Sequence, residues 1–248
     1  MLTIITPVLN GSLYIESTIC SIQKLNVDFE HIIVDGGSTD STIEIVKKYP
    51  QVKLINQVEK LGMYHAIDLG IKIAKGNYIT WVNSDDKIIS SGYEKMYEVL
   101  TNKNIDFVFS NGIHHFVDEC KYKIVTSLPF ARFFLKQGIF PFVQPSSIFS
   151  RKSYLDSGGF NYEKFKIIGD RDLFQIMAYD KTLKMQYVPV FSSIFLRYEE
   201  SLLYRSMDKL KKEHSYTIKT NKSIYIRFLY HSFRTVKNNY WKIKGIKL

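Results

Sequence analysis

Two adjacent carboxylates, Asp85 and Asp86, are the residues of this 248-residue chain best suited to chemistry. They end the segment Asn83-Ser84-Asp85-Asp86, which follows a short apolar run. Adjacent carboxylates repel each other, so they need a cation or a network of hydrogen bonds. Oxygen ligands without nearby His or Cys suit Mg²⁺ or Mn²⁺, which proteins usually share with substrate phosphates. The segment predicts a divalent metal site; a solvated turn with helix-capping aspartates is the alternative.

A glycine turn, Asp35-Gly36-Gly37-Ser38-Thr39-Asp40, is the second candidate. Two glycines allow the backbone to approach a ligand closely, and the Asp35 carboxylate can accept a hydrogen bond from a base or a sugar. The turn is neither a G-x-G-x-x-G loop nor a P-loop. A tight connection between a strand and a helix needs glycine too, so a structural role is the alternative.

A third candidate, Gly169-Asp170-Arg171-Asp172, opens a predicted helix. A carboxylate there could act as a general base if it reaches a substrate hydroxyl. An acid in the first turn of a helix is also a favourable partner of the helix dipole. Both interpretations remain open on the residues alone.

The elements that must position these residues alternate along the first hundred residues. Apolar runs predict strands over 3–9, 31–34, 52–55 and 78–82, and helical spacing predicts helices over 13–25, 41–46 and 62–74. Ser41 and Glu44 have the spacing of a capping box, and Gly76 stands where a glycine cap would end a helix. This alternation is typical of a parallel sheet covered by helices.

The polar residues follow the strands of this predicted sheet. Asn10, Asp35 and Asp85 each come directly after an apolar strand. The carboxyl ends of parallel strands share one edge, where open α/β sheets bind ligands. We therefore expect these three residues to converge. Beyond residue 105 the pattern changes: 106–109 and 121–125 predict a hairpin or mixed sheet, and the Phe-rich stretch 130–142 predicts a helix over the core or a lid.

Composition indicates one large globular domain, or one domain with an appendage. The two cysteines, Cys20 and Cys120, exclude a disulfide scaffold and predict a reducing, cytoplasmic compartment. The amino terminus does not have the pattern of a signal peptide, and no apolar stretch reaches the roughly 18 residues of a membrane span.

The positive charge is concentrated in residues 205–248. This segment holds 12 of the 34 Lys and Arg residues and only two acids, Asp208 and Glu213, whereas residues 1–204 carry 22 residues of each sign. Aromatic and basic residues alternate in the segment, which is typical of an amphipathic helix on an anionic membrane surface. A helix packed on the main domain is the alternative. No nucleic-acid-binding motif is present.

Five motifs in order resemble those of the family 2 glycosyltransferases. They are Thr6-Pro7-Val8-Leu9-Asn10, Asp35-Gly36-Gly37-Ser38-Thr39-Asp40-Ser41-Thr42, the segment 60–70 (K-L-G-M-Y-H-A-I-D-L-G), Asn83-Ser84-Asp85-Asp86, and Gly158-Gly159-Phe160 followed by Gly169-Asp170-Arg171-Asp172-Leu173. The resemblance covers residues 3 to about 204. It implies a GT-A fold, a mostly parallel sheet flanked by helices, with a nucleotide-sugar half at 1–104, an acceptor half at 105–204 and a basic helical extension at 205–248.

The resemblance also implies an activity, an inverting hexosyl transfer. The donor would be a nucleotide-diphosphate sugar, commonly UDP-linked, and the acceptor a glycan or lipid-linked hydroxyl in bacterial cell-surface polysaccharide assembly. Asp85 and Asp86 would hold Mn²⁺ or Mg²⁺, and Asp170 would be the catalytic base. The residues that the resemblance assigns to substrate binding are Thr6, Pro7, Val8, Asn10, Asp35, Gly36, Lys60, Gly62, Asn83, Ser84 and Asp172.

Three departures from the family pattern concern the site. Asn83 stands where many members have the first Asp of the D-x-D motif. His65 and Asp68 replace an Asp and an Asn, which predicts an altered donor pocket. Gly169 replaces the Glu before the base, which leaves Asp172 as an alternative base. Two further functions stay open: a nucleotidyltransferase that makes a sugar-nucleotide, and a non-catalytic membrane-associated scaffold.

Overall fold

The structure is a computed structural model that describes residues 1–217 and 224–243. The strands are β1 (Leu2–Val8), β2 (Phe29–Asp35), β3 (Val52–Asn56), β4 (Tyr78–Trp81), β5 (Lys87–Ile88), β6 (Phe107–Phe116), β7 (Lys121–Val125), β8 (Ser147–Ser150) and β9 (Met185–Arg197). The helices are α1 (Ile15–Ile22), α2 (Thr42–Val46), α3 (Met63–Lys72), α4 (Ser90–Lys103), α5 (Ala131–Lys136), α6 (Arg151–Asp156), α7 (Gly169–Tyr179), α8 (Leu202–Arg205), α9 (Met207–Thr217) and α10 (Ile224–Ile243). Parts of the predicted extension, 218–223 and 244–248, lie outside the described residues.

The strands form one mixed sheet in the order β3-β2-β1-β4-β8-β6-β9-β5, with β7 paired to β6. The first four strands are parallel, with Val8 opposite Asp35 and Ile5 opposite Trp81. This arrangement is the one that their alternation with helices predicts. The later strands are mixed: β8 is antiparallel to β4 and β6, whereas β9 is parallel to β6. The predicted hairpin is present as β6 and β7.

Helices cover both faces of the sheet because successive strand residues point to opposite sides. Ile5 of β1 packs with Ile67 of α3 and Phe174 of α7 in one apolar cluster. Its neighbour Ile4 packs with Met96 of α4 in a second cluster. The Phe-rich stretch contributes α5 to the first face, so its helix lies over the core.

Two local predictions for helix ends are wrong. The side chain of Ser41 makes no capping bond at α2; the neighbouring Asp40 side chain instead accepts from the backbone N–H of Thr42, the first residue of the helix, at 3.0 Å. Helix α3 ends at Lys72, before Gly76. Gly76 is needed for close packing, since a Cβ atom there would lie 2.5 Å from Thr3 Oγ1.

Helix α10 packs one side on the region around β6, β7 and α5. Tyr230 is buried against Leu128 and Phe134, and Asn238 Oδ1 accepts from Thr126 Oγ1 at 2.7 Å. On its other side Phe233, Val236 and Tyr240 are half-exposed or more. No helix in the described ranges is both long and apolar enough to cross a bilayer.

Candidate active site

An open cleft of about 960 Å³ lies at the carboxyl ends of the first parallel strands. One wall comes from the segments that follow β1, β2 and β4, namely residues 7–11, Gly36 and residues 83–85. The starts of α3 and α7 and the segment after β9, residues 198–205, also contribute to the lining. The convergence expected from strand topology is therefore present for Asn10 and Asp85.

Most of the predicted site residues line this cleft. They are Pro7, Val8, Asn10, Gly36, Lys60, Gly62, Asn83, Ser84, Asp85 and Asp170. Four predicted residues are not part of the lining: Thr6, Asp35, Asp86 and Asp172. The side chain of Thr6 is buried, and its hydroxyl lies 2.9 Å from Nε2 of His31. Asp170 and Asp172 are both partly buried, but only Asp170 lines the cleft.

The turn after β2 is held by its own aspartate. The Asp35 carboxylate accepts from the backbone N–H groups of Gly37 and Ser38 at 2.9 and 3.0 Å and from the Ser38 hydroxyl at 2.5 Å. Only 3% of Asp35 is exposed. Asp35 therefore stabilises the turn and is not among the residues that line the cleft; its contact with the nucleobase stays a prediction.

Asn10 and Lys60 join neighbouring segments to this turn. Asn10 Oδ1 accepts from Thr39 N at 2.8 Å, which ties the end of β1 to the turn after β2. A Cβ atom on Gly37 would lie 2.9 Å from Lys60 Nζ, so the lysine extends across that glycine. The Lys60 ammonium is thus brought to the same edge of the cleft as Gly36 and Asn10.

The segment after β4 separates its two aspartates. Asp85 lines the cleft, and its Oδ2 accepts from the Tyr198 hydroxyl at 2.8 Å. Asp86 is fully buried and accepts from Leu196 N at 3.0 Å and from Asn83 Nδ2 at 3.1 Å. Burial raises the pKa of both carboxyls, and the charge of Asp85 adds to the effect at Asp86. Asp86 thus orients Asn83 and anchors β9. Because Asp86 does not line the cleft, it is not positioned to bind a metal directly.

The donor set fits a divalent ion that is shared with a substrate. Asn83 Oδ1 is a buried acceptor that has no hydrogen-bond partner, and its residue lines the cleft beside Asp85. Within residues 1–217 and 224–243, no group of three or more His, Cys, Asp and Glu could hold a metal by itself. Mg²⁺ is commonly held by one or two carboxylates together with substrate phosphates. Asp85 and Asn83 suit that arrangement.

Asp170 stands at the start of α7 with two donors on one oxygen. Its Oδ1 accepts from Arg171 N at 2.8 Å and from the Tyr64 hydroxyl at 3.1 Å. Tyr64 is buried, and its hydroxyl also lies 2.9 Å from the carbonyl oxygen of Ile167. Burial raises the pKa of Asp170, while Arg171 and these hydrogen bonds oppose the rise. A carboxylate with a raised pKa is better suited to accept a proton near neutral pH.

Two departures from the family pattern lie behind the cleft wall. His65 Nδ1 lies 2.7 Å from Gln57 Nε2, and Gln57 itself lines the cleft. Asp68 accepts from the Tyr154 hydroxyl at 2.8 Å and pairs with Lys72. His65 therefore contacts a lining residue, Gln57, without itself lining the cleft, and Asp68 belongs to the packing beneath α3.

Several cleft residues carry no signal in the sequence. Tyr14 and Tyr198 contact each other with ring centroids 5.1 Å apart beside Asp85. Gln144 reaches the cleft from a 3-10 turn and donates to Trp81 O at 2.9 Å. Arg205 of α8 also lines it. Tyr64 lies within the segment 60–70, but nothing in the sequence links it to Asp170.

The arrangement of the cleft suits group transfer from a phosphate-bearing molecule. Lys60 and Arg205 bring positive charge, and Asp85 with Asn83 offers oxygen ligands for a cation. Asp170 supplies a proton acceptor in the same cleft.

The sequence profile of "Glycosyl transferase family 2" matches residues 3–159. Among curated relatives, glycosyltransferase GlyG of Streptococcus pneumoniae is 33% identical over 116 residues, which cover 45% of this chain and 38% of GlyG. TuaG of Bacillus subtilis, named for teichuronic acid biosynthesis, is 30% identical over 115 residues, which cover 44% of this chain and 46% of TuaG. The chain thus spans less than half the length of these curated relatives.

Solved structures share the fold. The S. aureus TarS fragment 1-349 in complex with UDP superposes with a TM-score of 0.62 at 20% identity, covering 86% of this chain and 64% of that one. Mannosyltransferase PcManGT of Pyrobaculum calidifontis, in complex with GDP-Man and Mn²⁺, gives 0.63 at 17% identity and covers 90% and 65%. The GT-A fold predicted from the motifs is confirmed.

Proposed function

The chain belongs to glycosyl transferase family 2, and from this membership we propose that it is an inverting glycosyltransferase acting on a nucleotide-diphosphate sugar. The observation that carries the proposal is that Asp85 and Asp170 line one cleft at the carboxyl ends of the parallel strands. The similarity to TarS, which binds UDP, supports a UDP-linked donor. The bound Mn²⁺ of PcManGT supports a divalent cofactor, Mn²⁺ or Mg²⁺.

In the proposed reaction, Asp170 takes the proton of an acceptor hydroxyl. The hydroxyl oxygen attacks the anomeric carbon of the donor from the face opposite the diphosphate. The bond from that carbon to the diphosphate oxygen breaks, its electron pair leaves with the diphosphate, and the configuration inverts. A divalent ion held by Asp85 and Asn83 would offset the negative charge that grows on the leaving group. Lys60 and Arg205 would hold the phosphates.

Position in the cleft supports the assignment of the base to Asp170 rather than Asp172. Asp170 lines the cleft, whereas Asp172 does not. Burial raises the pKa of both carboxyls, which increases the affinity of Asp170 for the proton of the acceptor but does not distinguish it from Asp172. The hydrogen bond from Tyr64 fixes one oxygen and leaves the other to meet the hydroxyl.

The acceptor that we propose is a glycan or lipid-linked hydroxyl of a cell-surface polysaccharide. The likeness to TuaG supports this class. We place the reaction at the inner face of the cytoplasmic membrane, with the outer side of α10 contacting anionic lipid. The half-exposed side chains of Phe233, Val236 and Tyr240 support that contact. Cys20 and Cys120 are exposed and unpaired, which suits a reducing compartment.

The nucleotide and the metal can be tested together by thermal unfolding. We expect UDP with Mn²⁺ to raise the melting temperature more than UDP alone, because a ligand that binds only the native state stabilises it by mass action. GDP, CDP and dTDP serve as comparisons. Asp85→Ala should abolish the metal-dependent part of the shift, whereas Asp156→Ala, on α6 outside the cleft, should retain it.

Two outcomes would contradict this proposal. No shift with any of the four nucleotides at millimolar concentration, with or without anionic vesicles, would favour a non-catalytic scaffold of the same fold. Release of pyrophosphate from a nucleoside triphosphate and a sugar phosphate would favour a nucleotidyltransferase.

The base can be tested by Asp170→Asn. We expect transfer to fall by about 10²–10⁴-fold, the range typical of general base catalysis, while the dissociation constant for UDP stays within about twofold. The amide keeps the shape of the side chain but cannot accept the proton. Sugar transfer to a polysaccharide acceptor and calorimetric UDP titration measure the two effects.

Asp172→Asn is the matched control for this substitution, since it changes the neighbouring acid of the same helix. It should retain most of the transfer. Full activity in Asp170→Asn together with loss in Asp172→Asn would move the base to Asp172.

A further inference from the structure

Glu213 of α9 is a buried acid in the most basic part of the chain. Only 5% of the residue is exposed. Its carboxylate accepts three backbone hydrogen bonds, from Lys166 N at 2.9 Å, Ile167 N at 2.9 Å and Ile168 N at 3.1 Å. We call residues 166–168 the base loop, because they directly precede Gly169 and Asp170. One side chain from the carboxyl-terminal segment therefore satisfies every backbone N–H group of that loop.

The base loop carries the contacts that orient Asp170. Ile168 is the residue that precedes the first turn of α7. The carbonyl oxygen of Ile167 lies 2.9 Å from the Tyr64 hydroxyl, which is also 3.1 Å from Asp170 Oδ1. A shift of the loop would move Ile167 and so change where the Tyr64 hydroxyl points. The position of Asp170 thus depends on a chain of contacts that starts at Glu213.

The same loop also reaches the donor side of the cleft. Lys166 Nζ donates to the carbonyl oxygen of Leu61 at 3.0 Å. Leu61 lies between Lys60 and Gly62, which both line the cleft. Glu213 therefore anchors a loop that contacts both the base and the segment proposed to hold the nucleotide.

Without Glu213, three backbone donors would lose their acceptor. A buried donor without an acceptor destabilises the conformation that holds it, so the loop would move to reach water. A misplacement of about 1 Å in a catalytic group can reduce the rate by about 10²-fold. The expected consequence is catalytic rather than a loss of the fold, because the loop is partly exposed and lies outside the strand core.

We propose that Glu213 is a positioning residue for the transfer reaction: it fixes the base loop so that Asp170 meets the acceptor hydroxyl. The inference rests on the proposed function of Asp170 as the base. It makes α9 part of the catalytic unit, so that a chain ending at residue 204 would lack a component of its own site.

The test uses Glu213→Gln and Glu213→Asp in the full chain. Gln keeps the shape but replaces one acceptor oxygen by a donor, and Asp keeps the charge but is one methylene shorter. We expect kcat to fall by about 10-fold or more in both, with the dissociation constant for UDP within about twofold of the parent. Asp208→Asn is the matched control, because it removes one acid from the fully exposed side of the same helix.

Two further readouts separate positioning from general loss of stability. Hydrogen exchange of residues 160–172 should accelerate in both variants and not in Asp208→Asn. The titration of the Asp170 carboxyl, followed by ¹³C NMR and assigned by its absence in Asp170→Asn, should move towards the ordinary pKa. Burial is what raises that pKa, and a released loop admits water. The acidic limb of the kcat profile should move in the same direction.

The inference is overturned if both variants match the parent in kcat and in the titration of Asp170. It is overturned as well if Glu213→Asp behaves like the parent and only Glu213→Gln differs, since the effect would then come from charge alone. Failure of the proposed function looks different: Asp170→Asn would itself remain active. If Glu213→Gln does not bind UDP, the kcat and the Asp170 titration of Glu213→Asp decide the outcome.

Discussion

The ring of Tyr64 packs directly against the backbone of Gly169. A Cβ atom at position 169 would lie 2.7 Å from the ring of Tyr64, so the ring takes the place of a side chain there. From that place the hydroxyl reaches Asp170. The Glu that the family motif has at this position could not coexist with the ring as it lies here. Tyr64 therefore supplies a donor to the base in a site that lacks the Glu.

The substitution Gly169→Ala tests this close contact. We expect the free energy of unfolding to fall by about 1–3 kcal/mol, the usual cost of forcing a methyl into a packed site. Transfer should fall as well, because the ring must turn away from Asp170. Urea denaturation measures the first effect and the transfer assay measures the second.

Coupling to Tyr64 provides the control. In a Tyr64→Ala background the ring is gone, so adding Gly169→Ala should cost less than about 0.5 kcal/mol. An equal cost in both backgrounds would show that the strain at position 169 arises from something other than this ring.

The sequence predicts the composition of the cleft better than the direction of each side chain. Strand topology brings Asn10 and Asp85 to one edge, and the motif order brings Asp170 to it. Adjacent residues at a strand end point to different sides, however, so Asp85 faces the cleft while Asp86 is buried. Asp35 is likewise used by its own turn. Glu213 had only one sequence signal, that it is one of two acids among 12 basic residues.

Helices and strands that have long apolar patterns could be predicted from the sequence. Elements that form only through contacts with distant parts of the chain could not. The runs that became β1, β2 and β4 are visible in the sequence because both faces of each are buried. The two-residue strand β5 exists only through its pairing with β9, whose partner residues are Ser193 and Ile194. Gly76 failed as a helix cap because its role is contact with Thr3.

The outer side of α10 leads to a prediction about membranes. Phe233→Ser combined with Val236→Ser should weaken binding to phosphatidylglycerol vesicles by about tenfold or more, because each apolar side chain buried in lipid contributes on the order of 1 kcal/mol. Binding to uncharged vesicles should be weak for the parent and the variant alike. Sedimentation with vesicles measures both.

An exposed apolar pair on another helix serves as the control. Ile176 and Tyr179 of α7 are 43% and 55% exposed, against 55% and 70% for Phe233 and Val236. Changing both to Ser should leave vesicle binding unaltered. If the two double variants lose binding equally, the contact is not specific to α10.

The distribution of charge along the chain and the protonation of two histidines are properties of the whole molecule. The excess of Lys and Arg lies after residue 204, while the sheet carries two histidines with lowered pKa values, His31 buried in β2 and His114 half-buried in β6. Burial lowers the pKa of His31 to about 3. Burial, together with Arg197, Arg234 and Lys123, lowers the pKa of His114 to about 3. Both side chains therefore remain neutral in the fold at pH values where they would be protonated in the unfolded chain.

Stability should consequently fall as the pH is lowered through 6.5 towards 3. In this window the unfolded state binds more protons than the native state, so acid favours unfolding. Each histidine should contribute a slope of up to about 1.4 kcal/mol per pH unit. Urea denaturation between pH 7.5 and 4.5 measures the slope. His31→Gln should remove about one histidine's share, and an unchanged slope in that variant would contradict the assignment.

The bond between Asp86 and Leu196 has a consequence during protein synthesis. The two residues are 110 positions apart, and ribosomes add roughly 5–20 residues per second. The nascent chain therefore waits on the order of 5–20 s between making Asp86 and making its partner. In that interval β1 to β4 can assemble, but Asp86 has no Leu196 to bind. The buried acceptor of Asp86 thus gains its backbone partner on β9 late in translation, after the nucleotide half has emerged from the ribosome.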